Sequence, residues 1–137
     1  PYIRPMKDSL RLGLTRTATY QTTIDMRARQ LKTDVFSTPS MISLMERTCT
    51  ELTEPFLDEN EQTVGIHIDV RHLASTRIGQ AVTINAEVIE MKGRKIRYAV
   101  AAFNDDGAKI GEGTQWRAVV DTQQFAGGID QEAKHAH

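Results

Sequence analysis

A single cysteine, Cys49, stands among the 137 residues. No internal disulfide can form, so a reducing compartment is the default expectation. Net charge is almost absent as well: 17 Lys and Arg face 18 Asp and Glu, for a formal −1. That balance argues against nucleic acid or an anionic membrane as the main partner, because both select basic surfaces. No apolar run reaches the ~20 residues of a membrane span, and the N-terminal stretch shows no signal-peptide pattern. Also missing are a glycine-rich phosphate loop, a nucleophile elbow and a paired-cysteine metal motif. His67 and Asp69 share one face of a strand, but no third ligand follows at metal spacing. These absences lead us to expect a cytoplasmic protein without nucleic acid, membrane or metal partners.

What is present suits one globular domain: 39% hydrophobic and 26% charged residues in a chain long enough to bury a core unaided. We expect that domain over residues 1–125, with a basic lead-in at 1–11. Residues 126–137, beginning Ala-Gly-Gly and continuing polar, read as a flexible tail.

The stretch with the sharpest signals runs from Val35 to about Phe56. Thr38 can cap a helix by accepting from first-turn N–H groups, and Pro39 suits the first helical position. At about 100° per residue, Met41, Met45, Cys49, Leu52 and Phe56 form one stripe. Ser40, Arg47, Glu51, Glu54 and Asp58 lie nearly opposite, on the side a helix gives to solvent. Glu46 belongs to neither stripe and sits on the flank.

Strand signals surround this helix. From Leu14 to Met26 the chain is rich in Thr and β-branched residues, with Ala18, Tyr20, Thr22, Ile24 and Met26 on one face, which predicts a strand. After the helix, Thr63 to Leu73 sets Val64, Ile66, Ile68, Val70 and His72 against Gly65, His67, Asp69 and Arg71. Gln80–Glu90 and Lys95–Phe103 alternate likewise, joined by a turn at Lys92-Gly93. Asp106-Gly107 signals a hairpin into a last strand, Lys109–Asp121, with Ile110, Thr114, Trp116, Ala118 and Val120 on its apolar face. Strand, helix and four consecutive strands predict an α+β fold in which a curved five-stranded antiparallel sheet wraps one central helix. The face the helix leaves uncovered must meet water or a second subunit.

Candidate chemistry gathers at few positions. His72 ends an apolar strand face, where an imidazole either donates to a backbone carbonyl or serves as a base beside an apolar pocket. Glu46 is a surface charge or a carboxylate flanking that pocket. Thr38 is a cap, or a hydroxyl beside free N–H groups and the positive helix end, which can hold an oxyanion. Cys49, on the core stripe, reads as a small hydrophobe. Basic residues around Lys92-Gly93-Arg94-Lys95, with Arg97 and Arg77, are solvation or a seat for the phosphates of a carrier such as coenzyme A.

With Val35-Phe36-Ser37-Thr38-Pro39, Leu44-Met45-Glu46, Val64-Gly65 and Val70-Arg71-His72 in view, the chain resembles the hotdog-fold acyl-CoA thioesterases, in particular the fluoroacetyl-CoA thioesterase-like branch. Ile110-Gly111, Gly113-Thr114 and Arg117-Ala118-Val119 extend the likeness, which covers about Leu14 to Val120. The resemblance implies hydrolysis of an acyl-CoA to acid and coenzyme A, with no cofactor beyond the coenzyme A of the substrate. It implies a homodimer, able to pair into a tetramer, with sites shared between subunits. Thr38, Glu46 and His72 would be catalytic; Gly65, Phe36, Arg77, Arg94 and Arg117 would bind substrate. One departure stands out. Fluoroacetyl-specific enzymes place apolar and aromatic residues ahead of the Thr-Pro pair as a lid. Here Arg29-Gln30-Leu31-Lys32-Thr33-Asp34 is mostly polar, which implies another small acyl group. A hydratase or dehydratase using His72 and Glu46 as acid and base, or an acyl-CoA-binding protein without catalysis, are the competing readings.

Overall fold

The computed structural model describes residues 9–135, with the backbone alone beyond residue 129. Residues 1–8 of the expected lead-in and the last two residues lie outside the described residues. Five strands, β1 (Thr15–Gln21), β2 (Glu61–His72), β3 (Ala81–Lys92), β4 (Lys95–Asn104) and β5 (Lys109–Asp121), pair antiparallel in the order β1-β3-β4-β5-β2. Helix α1 (Thr38–Thr53) packs across one face. Met41, Leu44, Met45, Cys49 and Leu52 meet Val82, Ile84, Ala86 and Val88 of β3 and Ile96, Tyr98, Val100 and Ala102 of β4, all buried. The alternation read for β3 and β4 is the one observed.

The opposite sheet face is polar. It carries a trough of ≈ 730 Å³ lined by residues such as Thr17, Asp69, Asn85, Glu87, Arg97 and Glu112. Gly107 supplies the left-handed φ of 79° that the β4–β5 turn requires, closed by its N–H on the Asn104 carbonyl at 3.0 Å.

Three strands carry a bulge: that in β3 falls at Ile89, past its apolar run, and those in β2 and β5 change which residues face the helix. In β2, Gly65 pairs with Arg117 and His67 with Trp116, so Ile66 is the extra residue. Ahead of the bulge Glu61 and Thr63 are buried; beyond it Val70 and His72 turn inward. Val64 and His72 therefore do not share a continuous face as the sequence suggests. In β5, Lys109 pairs with Phe103 and Gly111 with Ala102, leaving Ile110 extra. The phase shifts by one, and Gln115, Arg117 and Val119 face the helix in place of Trp116, Ala118 and Val120. Trp116 lies outside beneath Arg97 and Lys92, whose cationic groups stand 5.9 and 5.7 Å from its ring.

The ends of the chain also correct the sequence reading. Strand β1 stops at Gln21, and Ile24–Met26 form a 3₁₀ turn. The segment expected as a loose tail continues as a helix, α2 (Thr122–His135).

Candidate functional site

The site begins at the first turn of α1. Ser37, with φ −84° and ψ 154°, is the N-cap: its Oγ accepts from the Ser40 N–H at 3.1 Å. Thr38 is thus the first helical residue and not the cap. This one-residue difference releases the Thr38 hydroxyl, which lies 2.7 Å from His72 Nδ1. The first turn also loses donors: Pro39 has none, and Ser37, Ser40 and Met41 donate to Met26 O, Ser37 Oγ and Ser37 O. Among the described residues no backbone carbonyl accepts from the Thr38 N–H, a donor that a helix start leaves unpaired.

Short backbone bonds hold the dyad in place. Phe36 N–H donates to Thr76 O at 2.8 Å, Ser37 N–H to Met26 O at 2.9 Å, and Leu73 N–H to Ile110 O at 2.7 Å. Phe36, 1% exposed, sets its ring edge-on to His72 at 6.5 Å. It supports the imidazole and offers no open surface to a ligand. Burial pushes the His72 pKa below its ordinary 6.5, with the Ala74 backbone acting the other way. Burial thus favours the neutral imidazole.

A second cluster lies further along the same helix. Arg117 Nη1 reaches Glu46 Oε2 at 3.1 Å, and the carboxylate side chain is 38% exposed. Gly65, at the β2 bulge, abuts this pair: a Cβ there would stand 2.7 Å from Glu46 Oε2. Eight residues separate Thr38 from Glu46, about 12 Å along the helix axis. Among the described residues no hydrogen bond or ion pair links Glu46 to Thr38 or His72. One chain thus joins two of the three expected catalytic residues and holds the third apart, beside Gly65.

The fluoroacetyl-CoA-specific thioesterase family, FlK, matches residues 18–123. The chain belongs to this family. A fluoroacetyl-CoA thioesterase of Streptantibioticus cattleyicolor is 33% identical over 129 residues, 88% of this chain and 92% of that one. The structure of an FlK variant in complex with fluoroacetate and CoA is 31% identical, with a TM-score of 0.80 over 85% of this chain and 99% of the other. A thioesterase superfamily member from Thermus thermophilus, at 23% identity, shares the fold with a TM-score of 0.85 over 93% and 96%. The five-stranded sheet around α1 is the hotdog fold.

Against that family background, the expected substrate-binding residues fare differently. Arg77 is exposed on the loop whose backbone bridges to Val35, close in sequence to Thr38. Arg94 holds Glu61 at 3.3 Å and the Val119 carbonyl at 3.0 Å. Arg117 does not reach the surface: it is 6% exposed, turned inward by the Ile110 bulge. Sequence reasoning missed Ser37, which competes with Thr38 for the cap, and the buried partners of Arg117, Thr63 and Gln115. Cys49 is buried, and desolvation pushes its thiol up to about 12, as suits a core residue. Among the described residues no group of three His, Cys, Asp or Glu is placed to hold a metal, and no helix is long and apolar enough to cross a membrane.

Proposed function

We propose that the protein hydrolyses the thioester of a small acyl-CoA to the free acid and coenzyme A, and that it works as a homodimer in the cytoplasm. The observation that carries this reading is the 2.7 Å contact between Thr38 Oγ1 and His72 Nδ1 at the start of α1. Neutral His72 is a base. With its proton on Nε2, its Nδ1 accepts from the Thr38 hydroxyl. That hydroxyl, or a water bound beside it, passes its proton to Nδ1 as its oxygen attacks the thioester carbonyl. The C–S bond then breaks and the proton goes to the departing sulfur. Where Thr38 itself attacks, water clears the threonyl ester with the same base. Charge on the carbonyl oxygen meets the Thr38 N–H and the positive end of α1.

The dimer supplies the third residue. β2 is an edge strand of 12 residues, with Ile66 49% and Ile68 37% exposed; a long apolar edge invites a second strand. Pairing two β2 strands about a two-fold axis sets the two α1 helices antiparallel. Glu46 of the partner subunit then comes toward Thr38 and His72 and orients the attacking water, with the acyl group beside Gly65. Arg77, near the mouth, meets the coenzyme A phosphates. Residues 29–34 are exposed, Leu31 at 55%, and build no dry lid, which favours an acyl group other than fluoroacetyl.

Thiol release from a panel of acyl-CoAs tests the reading, with wild type and His72→Ala side by side. Turnover of one acyl class that disappears in the variant is the expected result. Product formed with the thioester intact would reassign the protein as a hydratase, and binding without turnover as an acyl-CoA carrier.

A further inference from the structure

The proposed chemistry leaves a buried arginine on β5 unexplained. A guanidinium has five N–H donors in a rigid plane, and the surroundings of Arg117 account for that plane closely. Nε donates to Thr63 Oγ1 at 2.9 Å and Nη2 to the Thr63 carbonyl at 3.2 Å. Nη1 divides its donors between Gln115 Oε1 at 3.2 Å and Glu46 Oε2 at 3.1 Å. Three bonds thus fasten the cation to β2 and β5, and the fourth is aimed at the helix.

Three features set this pair apart from an ion pair kept for stability alone. The burial is lopsided: the Arg117 side chain is 7% exposed and that of Glu46 38%, so a desolvated cation backs a carboxylate at the surface. Sinking a charge that far is costly, and apolar residues of similar volume usually serve stability as well. Gln115, wholly buried, turns its oxygen to Arg117, and among the described residues its Nε2 has no partner, a further cost. Gly65 keeps clear the space that the carboxylate occupies. Only Oε2 of Glu46 is engaged; among the described residues Oε1 is bonded to nothing.

We infer that Arg117, held by Thr63 and Gln115, is a positioning residue that fixes the Glu46 carboxylate so that Oε1 faces the reacting water. This rests on the hydrolytic reading above. Arg117 is buried behind the carboxylate, and in this reading it acts through Glu46. A lysine keeps the charge but cannot bond Thr63 twice and Glu46 at once.

The test is a pair of double-mutant cycles read as kcat and KM on the best acyl-CoA, using the full-length protein. Arg117→Lys is expected to lower kcat by about 10²-fold, the cost of a misplaced catalytic group, with KM nearly unchanged. Thr63→Val, which removes the hydroxyl behind Arg117 without changing the side chain's shape, is expected to lower kcat in the same sense by a smaller factor. In a Glu46→Gln background, neither substitution is expected to reduce the residual rate further. Losses that multiply in that background, or a fall in kcat/KM carried by KM alone, would overturn the inference while leaving hydrolysis intact. A wild-type protein that releases no thiol from any acyl-CoA would overturn both. Should Arg117→Lys fail to fold, the Thr63→Val cycle decides alone, with circular dichroism confirming its fold.

Discussion

Ser37 and Thr38 divide two tasks that a single hydroxyl could have performed. Ser37 closes the first turn of α1, and Thr38 is left to meet His72. Ser37→Ala is accordingly expected to cost about 1 kcal/mol of stability, the ordinary cost of a lost cap. Thr38→Ala is expected to shift the melting temperature little while lowering turnover by about 10²-fold, as befits a lost reacting group. Urea titration and thiol release on both variants check the division; equal destabilisation would return the cap to Thr38. His72 gives a pH signature. Its folded pKa lies below 6.5 because burial penalises the imidazolium, so turnover should hold through neutrality and fall only as pH drops through that lowered value. Stability follows the same sign. The unfolded chain takes up the proton first, so the His72 contribution is complete above the unfolded value near 6.5 and lost as pH falls beneath it. His72→Gln should flatten that limb in a denaturation series. The sequence singled out Thr38, Glu46 and His72 as candidates, but neighbouring Ser and Thr are equally good caps, and only the backbone geometry chooses between them.

At the scale of elements, β3 and β4 were legible because both keep strict alternation through their cores, Val82 to Val88 and Ile96 to Ala102. β2 and β5 were legible as strands and misread as faces. A bulge adds one residue without leaving a mark on hydrophobicity, and the even face of β5, with Trp116 and Val120, is the more apolar on paper. The phase shift is what carries Arg117 to Glu46. The helix after β5 was not legible either: Gly127 and Gly128 weaken helix propensity, yet Thr122–His135 is helical. Gly65→Ala probes the bulge directly. Its Cβ would come within 2.7 Å of Glu46 Oε2, so the carboxylate must move. We expect kcat to fall by roughly 10-fold or more with stability nearly kept, because the group displaced is partly in water. Unchanged kcat would mean that the carboxylate's position at the bulge does not matter.

Taken whole, the molecule is one sheet around one helix, and that much followed from the order of signals: a strand, a capped helix, then four strands with short turns. What a single chain does not bring together is its own three candidate residues. Thr38 and His72 stand at one end of α1 and Glu46 two turns along it. In the proposed dimer each centre draws its hydroxyl and imidazole from one chain and its carboxylate from the other. The separation along α1 therefore makes the two damaged forms of the protein able to repair one another. Thr38→Ala and Glu46→Ala, each strongly impaired alone, should recover about a quarter of wild-type turnover when unfolded together and refolded in equal amounts. Half the dimers would then be mixed, and each mixed dimer would hold one intact centre of two. If all three residues act within one chain, the mixture will stay as impaired as its parts.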